Sequence, residues 1–442
     1  MAKKELSDLI KELEENPIYA MSLSSKELFH SNFLSWLLTF EQYSHYITNL
    51  KNFFSIEDDD EIFYVFREKY NFDLLIVYGK FEPKLTKKIK SVFSYNESVV
   101  LDKDKDKDKD EDEDEDDDQD CFTDTKFSEE EIKLVKENIK FVVVENKLKA
   151  IPTKEQLEEY TNKIKAKKSI FSIKKTNNEN TWIKINPDNS KKIILAPKLS
   201  LNGFSVDGWN EKTYEDYLEA LKQIKDQINE KDSYILEKYI EMLENICGIF
   251  EKIENDLENP GIIPNKDNVE KLRKIRLDDL YTKIWYSGIK NKINGKISLD
   301  GKIKSTTGFT RGTGLLDWKY TPAGCNFIVG LQIQHLNFRI TLEPEKGYKY
   351  NLNDNEKEVF FGNIQKWEED ILKKLENDVN INSYFVKWNY DLHKYGDFKY
   401  IQAEINENIK LEDITKVVNI TLRYINDSIS NLLIDERMLE EK

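Results

Sequence analysis

Apolar residues recur along this chain with two rhythms, a helical one and a two-residue alternation or short continuous run, and the changes between them outline its elements. Leu6 to Leu13 predicts an N-terminal helix. In SSKELFHSNFLSWLL, Leu28, Phe29, Phe33, Trp36 and Leu37 keep helical spacing behind a Ser24 or Ser25 N-cap, which leaves Glu27, His30 and Ser31 on a more polar face. EIFYVFREKYNFDLLIVYG reads as two strands, Phe63 to Glu68 and Phe72 to Val77, joined near Lys69 to Asn71. In IKFVVVENKLKA the four apolar residues Phe141 to Val144 predict a strand buried on both faces at the centre of a sheet. A helix starting at Pro152 or Thr153 follows, with Leu157, Tyr160 and Ile164 on one side. KKIILAPKL adds a buried strand, and Tyr214 to Ile228 and Tyr234 to Ile253 read as amphipathic helices.

ENPGIIPNKDN, from Glu258 to Asn268, sets two prolines and a glycine among polar residues and predicts a linker. A chain of 442 residues exceeds what one core usually serves, so the expected division is a core over 1–256, a linker over 257–270 and a C-terminal α+β domain over 271–442. That second domain shows a hairpin, Asn326 to Gln334 and Phe338 to Glu343, then helices at Asn363 to Leu375 and Leu411 to Leu433. It carries no motif from which a role can be read.

Composition narrows the function classes. With 39% hydrophobic and 34% charged residues the chain can fill real cores under a polar surface, and its apolar runs are far shorter than a bilayer needs. The charged start MAKKELSDLIKELEEN lacks an export signal, so a cytoplasmic location without membrane association is expected. Cys121, Cys247 and Cys325 have no close pair, and His30, His45, His335 and His393 include no zinc spacing, so any metal should be held by oxygen. Asp102 to Asp120 sets 14 acidic residues against 4 lysines, which gives this stretch −10 of the chain's −16 and leaves −6 for the rest. Total charge is therefore a poor guide to partners, since a local field decides what binds. Residues from about 80 to 136, with the charge run inside, read as a disordered insertion.

The chemistry concentrates at Asp73 and at Glu145-Asn146-Lys147. Side chains alternate along a strand, so Glu145 and Lys147 share a face while Asn146 points away. An acid-x-Lys triplet is common on surface strands, but here it directly follows a buried one, where an uncompensated carboxylate is costly. With Asp73 in FDLLIV, the arrangement resembles the PD-(D/E)XK nuclease superfamily over about residues 25–80 and 139–200; Asn71-Phe72-Asp73 stands where that motif has Pro-Asp. Gln156 and Tyr160, as Q-x-x-x-Y on the following helix, resemble its recombination-exonuclease branch.

The resemblance implies a restriction-endonuclease-like α/β core, a central mixed sheet flanked by helices, which hydrolyses phosphodiesters of nucleic acid, DNA before RNA. It implies Mg2+, with Mn2+ able to substitute, on Asp73, Glu145 and the Asn146 carbonyl, while Lys147 positions or deprotonates water and Gln156 and Tyr160 hold substrate. Glu68, favoured slightly, and Glu27 are candidates for a further carboxylate. Members serve DNA processing and phage defence, so a homo-oligomer or a defence-system partner protein is an open expectation. A fold-retaining scaffold without catalysis is the alternative, and the absence of a Walker sequence disfavours a nucleotide-driven enzyme.

Weaker signals have ordinary explanations beside the functional ones. Glu27, His30 and Asn32 can line the site or simply cap and satisfy a helix. Gly308 to Gly314, GFTRGTG, reads first as a flexible loop and second as a phosphate cradle with Arg311. Lys163, Lys165, Lys167 and Lys168 suit phosphates or a solvated face, and Trp367 and Trp388 suit a core before a stacking platform. The acidic run is a solvated loop or a nucleic-acid mimic competing for the basic rim.

Overall fold

The computed structural model describes residues 4–22, 27–39, 46–103, 125–148, 152–201, 204–228, 230–258, 260–297, 303–310, 313–321, 327–344, 354–395 and 398–433. The chain divides into two compact units, Met1–Phe250 and Glu251–Lys442.

The first unit holds helices α1 (Leu6–Glu15), α2 (Pro17–Ser22), α3 (Glu27–Thr39), α4 (Thr48–Phe53), α5 (Pro83–Lys103), α6 (Glu129–Asn138), α7 (Lys154–Lys165), α8 (Lys198–Leu201), α9 (Tyr214–Lys225) and most of α10 (Glu230–Asp256). Its strands are β1 (Glu61–Arg67), β2 (Leu74–Gly79), β3 (Lys126–Phe127), β4 (Lys140–Asn146), β5 (Ser169–Lys175), β6 (Asn180–Lys184), β7 (Ser190–Ala196) and β8 (Asn210–Thr213). A mixed five-stranded sheet runs β1-β2-β4-β7-β8, antiparallel on its β1 side and parallel from β4 to β8. A small sheet, β3-β5-β6, stands beside it.

β4 is central and buried from Phe141 onward because its residues feed both layers. Phe141 and Val143 join Leu75, Val77, Leu157 and Ile164 in one core. Val142 and Val144 point the other way. The antiparallel register sets Leu74 opposite Val144, so the next residues outward, Asp73 and Glu145, arrive at the same end of the sheet. Asp73 itself stands just before β2, and the connection from β1 contains left-handed residues Glu68, Tyr70 and Asn71 at φ of 55°, 57° and 62°.

The reading of 80–136 as a disordered insertion is corrected by its flanks. α5 contributes Leu85, Ile89, Val92 and Phe93 to the core, and α6 contributes Ile132 and Val135. These apolar residues sit at helical spacing among lysines that mask them in composition, and a Ser128–Glu131 capping box starts α6. Residues 104–120 of the acidic run, and the Ser24 and Ser25 caps, lie outside the described residues.

The second unit has helices α11 (Lys266–Lys274), α12 (Asp278–Asn294), α13 (Asp354–Asn377) and α14 (Leu411–Leu433). Its strands are β9 (Ile303–Thr310), β10 (Thr313–Tyr320), β11 (Phe327–Gln334), β12 (Asn337–Pro344), β13 (Phe385–Tyr395) and β14 (Phe398–Ile405), in one antiparallel sheet ordered β13-β14-β12-β11-β10-β9. Of the GFTRGTG segment, Gly308 to Thr310 end β9 and Thr313 and Gly314 begin β10, while Arg311 and Gly312 lie outside the described residues. Gly314 is required by packing, since a Cβ there would meet the Tyr286 ring at 2.0 Å.

Candidate active site

At the C-terminal end of β4 the chain leaves the sheet with Glu145 on the α7 face and Asn146 on the other. Glu145 is 1% exposed, and its Oε1 receives Lys147 Nζ at 2.6 Å, with Lys147 13% exposed. The same oxygen accepts from Gln156 Nε2 at 2.8 Å, and Gln156 also contacts the Tyr160 hydroxyl at 2.9 Å. Thr153 caps α7, and helical geometry then stacks positions 156 and 160 on one face, so the Q-x-x-x-Y spacing becomes a hydrogen-bonded pair. Tyr160 packs edge-on against Phe72 at 5.3 Å, and burial with the Glu145 charge pushes its pKa up to about 12.

Asp73 meets this group from the residue just before β2. Its Oδ2 accepts the Asn146 main-chain N–H at 2.6 Å, and its carboxyl is in hydrogen-bonding contact with that of Glu145. Burial holds Asp73 above the ordinary carboxylate range, opposed by the Asn146 amide and the Lys147 charge. Two poorly hydrated carboxyl groups this close need positive charge or a proton beside them, and the Lys147 ammonium supplies one such charge.

The Asn146 side chain fixes the strand end from behind. It donates to Ser31 Oγ at 3.1 Å and accepts from the Tyr214 hydroxyl. His30, expected on a polar face, is 3% exposed, bonded to Tyr239 at 3.0 Å with its ring near Phe29 and Tyr214. Its place is therefore behind β4, because the strand alternation that turns Asn146 away from Glu145 turns it toward α3. Ser31, Tyr214 and Tyr239 carry no local signal in sequence, since their partners lie far along the chain. Asn32 instead accepts from Arg67 at 2.8 Å.

Glu68 is exposed and reaches Asp73 only as a distant charge that raises its pKa. The Glu27 side chain lies outside the described residues. Of the lysines, Lys163 bonds the Tyr70 carbonyl at 3.5 Å and Lys168 lies 5.8 Å from the Tyr70 ring, while Lys165 and Lys167 are exposed.

The two touching carboxyls of Asp73 and Glu145 offer oxygen donors of the kind a hard divalent ion takes, and Mg2+ commonly takes only one or two protein carboxylates. Among the described residues no group of three His, Cys, Asp or Glu converges as a metal cluster, and no helix is long and apolar enough to cross a membrane. Searches of family models, curated proteins and solved structures return no match to this chain.

Proposed function

We propose that this protein is a metal-dependent nuclease of the restriction-endonuclease-like type, hydrolysing phosphodiester bonds of nucleic acid, DNA before RNA, in phage defence or DNA processing. The observation that carries the reading is the convergence of Asp73, Glu145 and Lys147 at one sheet end, joined by the Gln156 amide. Asp73 and Glu145 would hold Mg2+, or Mn2+ in its place, with the Asn146 carbonyl. Bound there, the ion supplies positive charge to the phosphate and acidifies water. Lys147 orients the attacking water and donates to the phosphate as charge builds. Gln156, by holding Glu145 and Tyr160 together, keeps the acid aimed into the site.

Digestion of plasmid, single-stranded DNA and RNA, with and without Mg2+, by wild type and by Lys147→Ala tests this. Cleavage that needs the ion and vanishes in the variant is expected; no cleavage of any substrate in Mg2+ or Mn2+ would sink it. The Lys147 ammonium already pairs with Glu145 at 2.6 Å, which favours, as a second reading, a nucleic-acid-binding scaffold that retains the fold. Binding without cleavage in the same panel would select it.

A further inference from the structure

The antiparallel sheet of the second unit turns alternate residues to two faces. Trp318, Leu331, Ile340 and Ile401 lie on one face and are fully buried. On the other, strand pairing draws one residue from each of the six strands into a single line: Thr306, Asp317, Gln332, Arg339, Gln402 and Asn389.

Arg339 is the centre of this line. Its Nη1 donates to Gln332 Oε1 at 2.8 Å and to Gln334 Oε1, its Nε donates to Gln402 Oε1 at 3.4 Å, and its guanidinium lies 4.5 Å from the Tyr400 ring centroid. Every one of these partners is neutral. The nearest acid of the line, Asp317, is 7% exposed and is bonded through Gln332 Nε2 at 2.9 Å, one residue removed from the guanidinium. A neighbouring pair, Lys319 and Glu343 at 2.6 Å, shows the direct neutralisation that Arg339 lacks among the described residues, where Asp317 acts on it as a charge without bonding it.

Two consequences follow. The half-buried guanidinium keeps its charge on this face, held by amide oxygens that do not cancel it. Because Gln334 and Gln402 turn their oxygens to Arg339, their NH2 groups remain as donors. Exposed Lys304 lies on the same face across from Lys319, and His393 stacks on Tyr400 at 5.1 Å. Cation, amide donors and aromatic rings in one sheet surface match a strand with phosphates, base edges and base faces.

We propose that this face binds single-stranded nucleic acid, with Arg339 and Lys304 on the phosphates, the Gln334 and Gln402 amides at base edges, and Tyr400 with His393 as the stacking platform. An acidic peptide would use the cations but neither the amides nor the rings. The proposal uses none of the proposed catalytic residues.

Fluorescence anisotropy on the full chain carrying Asp73→Ala tests the assignment, with labelled DNA and RNA strands of about 20 nucleotides, a duplex of that length and a polyaspartate peptide. Arg339→Gln should weaken single-strand binding roughly tenfold, and Lys304→Glu, an exposed change that leaves the fold intact, about threefold with a shallower salt dependence. Unchanged affinity in Lys304→Glu and Arg339→Gln would overturn the proposal, as would polyaspartate or duplex binding as tightly as the strands. Because no cleavage is read, failure here leaves the nuclease reading standing, and failure of cleavage leaves this one standing.

Discussion

The main-chain amide of Asn146 donates to the Asp73 carboxylate across 2.6 Å, so the strand that carries one acid also sets the position of the other. Asp73 therefore does not depend on its own strand for its aim, although it stands just before β2 and follows a run of left-handed residues. The candidate site is a joint between two strands rather than a set of side chains on one.

The Gln156 bridge should matter to rate more than to binding. Gln156→Ala removes the amide link between Glu145 Oε1 and the Tyr160 hydroxyl and leaves Lys147 on that oxygen. Turnover is expected to fall about 10–100-fold with little change in KM, as for groups that orient a metal-binding acid. Steady-state cleavage of a labelled oligonucleotide gives both parameters, and a change in KM alone would contradict the role.

Asp73 should make stability depend on pH, and the proposed Mg2+ should act on the same group. Its folded pKa is raised, chiefly by burial, above the unfolded value of about 3.9. The stability this group contributes is thus fully present below the unfolded pKa and is lost as pH rises through the folded one. A divalent ion favours the ionised carboxyl and opposes that loss. Mg2+ should accordingly raise the melting temperature more at pH 8 than at pH 5, and Asp73→Asn should remove the difference. Melting curves insensitive to Mg2+ at both pH values would count against the metal assignment.

The support behind β4 predicts an effect at a distance. Tyr214→Phe with Ser31→Ala removes two hydrogen bonds to the Asn146 side chain. Cleavage is expected to slow about tenfold while the circular dichroism spectrum stays unchanged. Full activity in the double variant would show that main-chain pairing alone holds the strand end.

In the second unit Glu368 is fully buried, neither carboxyl oxygen has a partner among the described residues, and burial raises its pKa well above the ordinary carboxylate range. Glu368→Met, of similar volume, should stabilise this unit by about 1–3 kcal/mol. Since the native carboxyl contributes less as pH rises above its unfolded value, the gain should be larger at pH 8 than at pH 5. Urea unfolding at both values measures it; a destabilised variant would reveal a partner for the acid.

The strand that carries Glu145 was legible because double-sided burial writes an unbroken apolar run, Phe141 to Val144, directly before it. Gln156 and Tyr160 were legible because helical spacing is local. Ser31, Tyr214 and Tyr239 were not, since their meaning comes from residues far away in sequence. α5 escaped notice because lysines between Leu85 and Phe93 hide the spacing in a composition count. The row through Arg339 depends on the register of six strands, which no single segment reveals.

β2 and β4 are adjacent in the sheet, yet residues 80–139 run between them, including α5, β3 and α6. Joining such distant segments costs closure entropy that grows only slowly with length, about 0.6 kcal/mol for each doubling. Changes in the length of this excursion are therefore cheap in equilibrium terms. In time they are not neutral: helices such as α7 can form locally, whereas the two acids meet only when a distant ladder zips. A nascent or half-folded chain holds Asp73 and Glu145 apart, and the candidate site arises with the finished sheet.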